Sequence, residues 1–141
     1  MLLLLNMNAS EILKHNGLKK SAQRIAVINI LQKHIIPLSE DEIKEEMGEI
    51  YDRVTFYRTI QALCNAKIIH RIIVDKTCVE YALNTEEDAH HSHIHFYCTV
   101  CHSVTCLKNT PIKQYDLPDG YQQKECQVLI KGICPSCNSS Q

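Results

Sequence analysis

Two pairs of cysteines constrain this chain more than anything else in it. Cys98-Thr99-Val100-Cys101 and Cys134-Pro135-Ser136-Cys137 each set two thiols on one tight turn, with 32 residues between the pairs. Two such turns supply four sulfurs at the corners of a tetrahedron, the closed shell that zinc adopts in structural sites. A chain that builds this cage must bring its C-terminus back to residue 98. The competing readings are two redox-active dithiols and an iron–sulfur cluster. A zinc ion held by four thiolates has no open position for water or substrate, so such a cage is a staple rather than a reaction centre.

The remaining cysteines are distributed unevenly. Residues 1–85 hold only Cys64 and Cys78, whereas residues 86–141 hold six. Cys64 is assigned to a core; Cys78, Cys106 and Cys126 are read first as ordinary thiols. The acidic stretch Asn84-Thr85-Glu86-Glu87-Asp88-Ala89 reads as the boundary between two small domains. Composition agrees with a globular chain: 45% hydrophobic and 22% charged. Four consecutive leucines, Leu2 to Leu5, are too few for a signal-peptide core, and no basic residue precedes them. No run approaches the roughly 20 apolar residues of a membrane span. The expectation is a cytoplasmic protein without a membrane partner, where paired cysteines point to metal or redox chemistry rather than disulfides.

The first 85 residues read as helices followed by a hairpin. Ser10 is expected to cap a short helix through His15, closed by Gly17. Ser21 caps the next, from Ala22 to about Lys33, whose Ile25, Val27, Ile28 and Leu31 recur at helical spacing. Pro37 interrupts the chain. Ser39-Glu40-Asp41-Glu42 is a capping box that opens a helix carrying Ile43 and Met47 on one face. Asp52 caps a further helix from Arg53 to about Asn65. Ile68–Val74 and Thr77–Leu83 then alternate as strands, with Asp75-Lys76 between them. Three of these helices, followed by a two-stranded hairpin, form the winged helix-turn-helix pattern, so the fold class is mixed helix and sheet (α+β).

At 100° per residue, Phe56, Ile60, Leu63 and Cys64 of the 53–65 helix share one side. Arg58 stands opposite, with Val54, Thr55 and Gln61 around it and Tyr57 at the edge. These side chains suit phosphates and base edges in a major groove, although a plain solvated face has the same pattern. The net charge of −1 supplies no global positive field. Locally, residues 1–37 and 53–76 each carry a net +4, Arg53, Arg58 and Arg71 among them. The intervening 38–52 carries seven acids against Lys44. The basic residues thus bracket the reading helix.

The second domain opens on His90-His91-Ser92-His93-Ile94-His95-Phe96-Tyr97-Cys98. Strand alternation turns His91, His93, His95 and Tyr97 one way. Imidazoles on one strand face that leads into a zinc knuckle suggest a second metal site, against the alternative of solvated histidines. Glu80 and His70 on the hairpin are the nearest further donors in sequence. Enzymatic zinc chemistry finds no support: there is no His-Glu-x-x-His, and no Glu sits two residues after any histidine of the cluster.

Taken together, these residues resemble the ferric uptake regulator family of metal-dependent transcriptional regulators. Leu18-Lys19-Lys20-Ser21-Ala22-Gln23-Arg24 is similar to the family's opening segment. Val54-Thr55-Phe56-Tyr57-Arg58 resembles its recognition-helix motif. His93-x-His95-x-x-Cys98-x-x-Cys101 resembles its metal motif, and Cys134-x-x-Cys137 completes it. The resemblance implies a winged-helix DNA-binding domain over residues 8–85 and a small α/β metal-binding dimerisation domain over 86–141. It implies a homodimer on a palindromic double-stranded DNA operator, and no small-molecule substrate. Lys19 is then expected in the minor groove and Tyr57 and Arg58 at the major groove, with Arg53, Thr55 and Gln61 beside them. His93 and His95 match regulatory-metal ligands, with His91, Glu80 and His70 as further members of that set. The expected cofactors are one structural zinc per subunit and a second divalent ion, zinc or iron.

There are departures from the family pattern. The ligand histidine before the third helix aligns with Pro37, and the acidic ligand after the hairpin aromatic aligns with Ala82. Glu80, on the same strand face as Ala82, is the expected stand-in. Ser92, Ile94 and Cys126 occupy third-site positions. Missing carboxylates and surviving imidazoles favour zinc over iron. Pro111 and Pro118 bracket a segment where the family has a helix, so a trimmed second domain is expected. The alternative function is a constitutive DNA binder, or a metal buffer with a vestigial sensory site.

Overall fold

A computed structural model describes residues 6–34, 36–84, 93–124 and 126–139. The chain divides into two compact units, Met1–Ala89 and His90–Gln141.

In the first unit, α1 spans Ala9–His15, α2 Ala22–Lys33, α3 Glu40–Met47 and α4 Arg53–Asn65. A 3-10 turn, Gly48–Ile50, links α3 to the residues before α4. Strands β1 (Leu38–Ser39), β2 (Ile69–Ile73) and β3 (Val79–Leu83) form a sheet in the order β1-β3-β2. The helix starts follow from side-chain caps that satisfy orphan N–H groups. Ser21 Oγ accepts from Arg24 N, Ser39 and Glu42 close a full capping box, and Asp52 accepts from Thr55 N. The expected Ser10 cap of α1 is displaced. Asn8 takes that role, its Oδ1 accepting from Glu11 N at 2.8 Å and its Nδ2 donating to Glu11 Oε1 at 3.0 Å, so Ser10 lies inside the helix. Gly17 follows with φ +71°, the left-handed conformation that ends the segment.

The apolar faces of these elements converge on one core of Ile12, Leu13, Val27, Ile28, Ile43, Phe56, Ile60, Leu63 and Ile69, all essentially free of solvent. Ile25 is only half-buried at its edge, while Ile30 is buried, so the apolar stripe of α2 is rotated slightly from the expected one. Tyr81, Val79 and Leu83 turn the core-facing side of β3 inward. The other side of the hairpin carries His70, Ile72, Glu80 and Ala82, since His70 pairs with Ala82 and Ile72 with Glu80. Strand β1 was not expected. It adds Leu38 opposite Tyr81 and Ser39 opposite Glu80, making the hairpin a three-stranded wing.

In the second unit, β4 (His93–Cys98), β5 (Val104–Pro111) and β6 (Val128–Gly132) pair in the order β5-β4-β6. The β4–β5 pair is antiparallel and β4–β6 parallel. Strand β5 returns the chain to the end where β4 starts, and residues 112–127 then lead to β6 on the other edge of β4. Among their described residues there is no helix, in keeping with the trimmed domain expected from Pro111 and Pro118. A one-turn helix, α5 (Pro135–Asn138), starts with proline at its first position, where no N–H is missed. Phe96 lies over Gly132: a Cβ there would stand 3.1 Å from the ring, too close for a relaxed contact. The small residue therefore lets β6 run close beside β4 up to Cys98. No described helix is long and apolar enough to cross a membrane.

Candidate metal centre and nucleic-acid face

The four knuckle cysteines converge within the second unit. Cys98 ends β4, Cys101 closes the turn after it, and Cys134 and Cys137 flank and occupy α5. Their sulfurs all lie within 4.8 Å of one another. Cys98 is fully buried, and its Sγ accepts from the backbone N–H of Cys101 (3.5 Å) and Cys134 (3.4 Å). Those donors reach from both knuckles and hold the Cys98 thiol down to about 6. Ser103 lowers Cys101 in the same sense through its side chain, 3.1 Å away. Cys137 is pushed the other way, up to about 12, first by its hydrogen bond to Cys134 and then by burial. The four sulfurs stand close enough together to share one ion. The donor set fits zinc: four sulfurs, no carboxylate, and turns that bring N–H groups to sulfur.

Beside the cage, Tyr97 Oη lies 2.8 Å from His102 Nδ1, and His102 adopts φ +62° to complete the knuckle turn. His95 is 5% exposed. It sits directly opposite Cys106 across the β4–β5 ladder, and the imidazole and thiol ligand atoms lie within 4.8 Å. Ile94 pairs with Leu107 but His93 with Pro111, so a bulge on β5 separates His93 from the ladder that holds His95. His91 lies outside the described residues. Cys106 is the ligand-type neighbour of His95 that sequence spacing did not single out.

In the first unit, Glu80 is 8% exposed and its Oε2 has no hydrogen-bond partner among the described residues. Burial, and secondarily the nearby Glu42 carboxylate, push its carboxyl up to about 7. His70 Nδ1 bonds the Asn84 side-chain oxygen, and Asn84 Nδ2 donates to Lys67 O at 2.8 Å. The histidine is thus fixed at the far end of the face that bears Glu80.

The outward face of α4 matches the helical-wheel expectation. Arg53, Val54, Thr55, Tyr57, Arg58 and Gln61 are exposed, and Phe56, Ile60 and Leu63 are buried. Two residues that spacing alone did not identify, Glu40 and Arg71, bond this face, and a third, Arg24, anchors the backbone at Lys19. Glu40 at the start of α3 accepts a hydrogen bond from Tyr57 Oη at 3.0 Å, while the Arg53 guanidinium lies 6.0 Å from the Tyr57 ring centroid. Arg71 of the wing donates to Gln61 Oε1 at 3.2 Å, and Gln61 Nε2 donates to Asn65 Oδ1 at 3.0 Å, which fixes the direction of the amide. Arg24 donates to the Lys19 carbonyl at 2.7 Å, so the exposed Lys19 leaves a backbone anchored to α2. The signal for Arg71 was its place in the basic stretch 53–76, for Arg24 its place in the segment 18–24, and for Glu40 its place in the capping box; none of these marked the contacts made here.

Known proteins share this fold and align with most of the sequence. A ferric uptake regulation protein of Synechococcus elongatus is 23% identical over 139 residues, covering 91% of each chain. The ferric uptake regulator of Vibrio cholerae has a similar fold, with a TM-score of 0.61 at 20% identity over 89% of this chain and 98% of that one. The Helicobacter pylori regulator, whose structure reveals three functional metal-binding sites, gives a TM-score of 0.61 at 19% identity over 98% of this chain and 94% of its own. The sequence model of the ferric uptake regulator family matches residues 15–129, from the last residue of α1 to the start of β6. That span contains the reading helix, the wing and the first knuckle, and on it the chain belongs to the ferric uptake regulator family of metal-responsive transcriptional regulators.

Proposed function

We propose that this chain is a metal-dependent repressor that binds a palindromic DNA operator as a homodimer in the cytoplasm. The observation that carries the reading is the outward face of α4: Thr55, Tyr57, Arg58 and Gln61 stand exposed on the second helix of a helix-turn-helix. Arg58 suits a guanine edge or a phosphate, Gln61 a base edge, and Thr55 and Tyr57 the backbone. Lys19 and Arg53 add positive charge at the approach to the duplex. The exposed apolar side chains Tyr115, Leu117, Tyr121 and Ile130 of the second unit support dimerisation, because a second copy would remove them from water.

One zinc per subunit would be held by Cys98, Cys101, Cys134 and Cys137. It supplies no reaction and serves to tie the end of β4 to α5. A second, exchangeable divalent ion, zinc or iron, would bind through His93 and His95. His91, His70 and Glu80, the other donors read from the sequence, are assessed by substitution in the same titration.

The test is fluorescence anisotropy of the dimer on its own promoter fragment, with chelator and with added zinc or ferrous iron. Metal-dependent binding that is lost on His93→Ala with His95→Ala, while one zinc per chain persists, is the expected result. Equal binding with and without metal would remove the sensory part of the reading, and metal uptake without any change in DNA affinity would mark a buffer.

A further inference from the structure

His95 and Cys106 are ligand-type side chains of the second unit that lie together outside the four-sulfur cage. They are Cα partners in the antiparallel ladder, so both side chains leave the sheet on the same face. Cys98 belongs to the opposite face of β4, with Ile94 and Phe96. Cys106 is therefore no fifth ligand of the cage. Its thiol is not engaged in a disulfide. The imidazole and thiol ligand atoms lie within 4.8 Å, and ligands at adjacent corners of a tetrahedral zinc stand about 3.5 Å apart, so a small side-chain movement closes the pair on one ion.

We infer that Cys106 is a ligand of the exchangeable ion, paired with His95, and that the regulatory site of this chain is built on a thiolate. The inference rests on the reading that a second ion binds at the histidine strand. It adds both a ligand and a selectivity. A thiolate beside an imidazole favours zinc, and disfavours manganese and ferrous iron, which prefer oxygen donors or larger coordination numbers. Binding also displaces the thiol proton to solvent, so affinity rises with pH more steeply than two imidazoles alone would give. Cys106 lies on β5, at the edge of the sheet formed by the described residues, and is half-buried.

The experiment uses the full chain with zinc retained in the cage, verified by metal analysis before and after an anaerobic cobalt(II) titration. The second equivalent is expected to bring a near-ultraviolet sulfur-to-cobalt charge-transfer band together with tetrahedral visible bands. Cys106→Ser should abolish the charge-transfer band and weaken zinc binding at the second site by on the order of 10–100-fold. Cage zinc and far-ultraviolet circular dichroism should stay unchanged. Cys106→Asp should narrow the preference for zinc over manganese, and Cys126→Ser should leave the band in place. A second cobalt that binds without a charge-transfer band, or a Cys106→Ser protein that binds the second ion as wild type does, overturns the inference and leaves the histidine site standing. If no second ion binds at all, the regulatory reading and the inference fail together.

Discussion

Glu80 is the residue whose surroundings contradict its chemistry most. A carboxyl 8% exposed on the outer face of the wing, with Glu42 nearby and one oxygen unpartnered among the described residues, resists ionisation. Its folded pKa, about 7, stands above the ordinary 4.5. The linkage therefore runs opposite to that of a salt-bridged acid. The unfolded chain loses this proton first, so stability falls as pH rises from about 4.5 to about 7 and is level beyond. In chelator-treated protein, Glu80→Gln is expected to be neutral near pH 4 and stabilising near pH 8. The gain is roughly 1–2 kcal/mol once solvent screening is discounted, and urea melts at the two pH values measure it. A substitution that destabilises equally at both would show that the carboxylate has a partner. Cys106 teaches a related lesson at this scale. Nothing in its own neighbourhood in the sequence marks it, because its partner His95 is eleven positions away and only the strand register joins them.

Among the elements, α4 shows which signals sequence carries well. Its start is local: Asp52 Oδ2 accepts from Thr55 N at 3.0 Å and from Thr55 Oγ1 at 2.7 Å, an arrangement readable from an Asp three residues before a Thr. Thr55 holds the Asp52 carboxyl below its ordinary 3.8. The cap's contribution is thus present above that value and lost as pH falls through the lower, folded one. Asp52→Ala should lower the melting temperature at neutral pH by a few degrees and weaken operator binding, because the freed first turn carries Arg53 and Thr55. The melting difference between variant and wild type should shrink toward pH 3. A constant difference across pH would assign the effect to packing instead. The capping box of α3 and the two knuckles were legible for the same reason, since each is a few residues long and its chemistry is internal. The elements that were not legible depend on distant chain. Strand β1 is two residues long and exists because β3 offers it Tyr81 and Glu80 as partners. Strand β6 pairs in parallel with β4 after an irregular connection, and the bulge between His93 and Ile94 arises from three extra residues on β5. Asn8 outcompeted Ser10 at the start of α1 because its amide satisfies both the Glu11 N–H and the Glu11 carboxylate.

For the molecule as a whole, the proposed activity is a coupling between two binding events, and thermodynamics restricts how it can appear. If the second ion raises operator affinity by some factor, operator DNA must raise affinity for that ion by the same factor, with each ten-fold worth about 1.4 kcal/mol. A ligand with equal affinity for the DNA-competent and incompetent states shifts nothing, however tightly it binds. Zinc in the four-cysteine cage is expected to behave in that uncoupled way at ordinary zinc levels, remaining bound in both states. The exchangeable ion is expected to show the coupling. Zinc titrations with a competing chelator, run on the free dimer and on the dimer saturated with its promoter, should give two affinities for the second ion. Their ratio should equal the ratio of DNA affinities measured with and without that ion. Arg58→Ala should lower DNA affinity in both metal states by a similar factor and leave the coupling ratio intact, because it removes a contact rather than the switch. His95→Ala should abolish the coupling and leave residual metal-free DNA binding unchanged. If the ion bound equally tightly to free and DNA-bound protein, metal control of operator binding would be ruled out however strong the metal affinity proved.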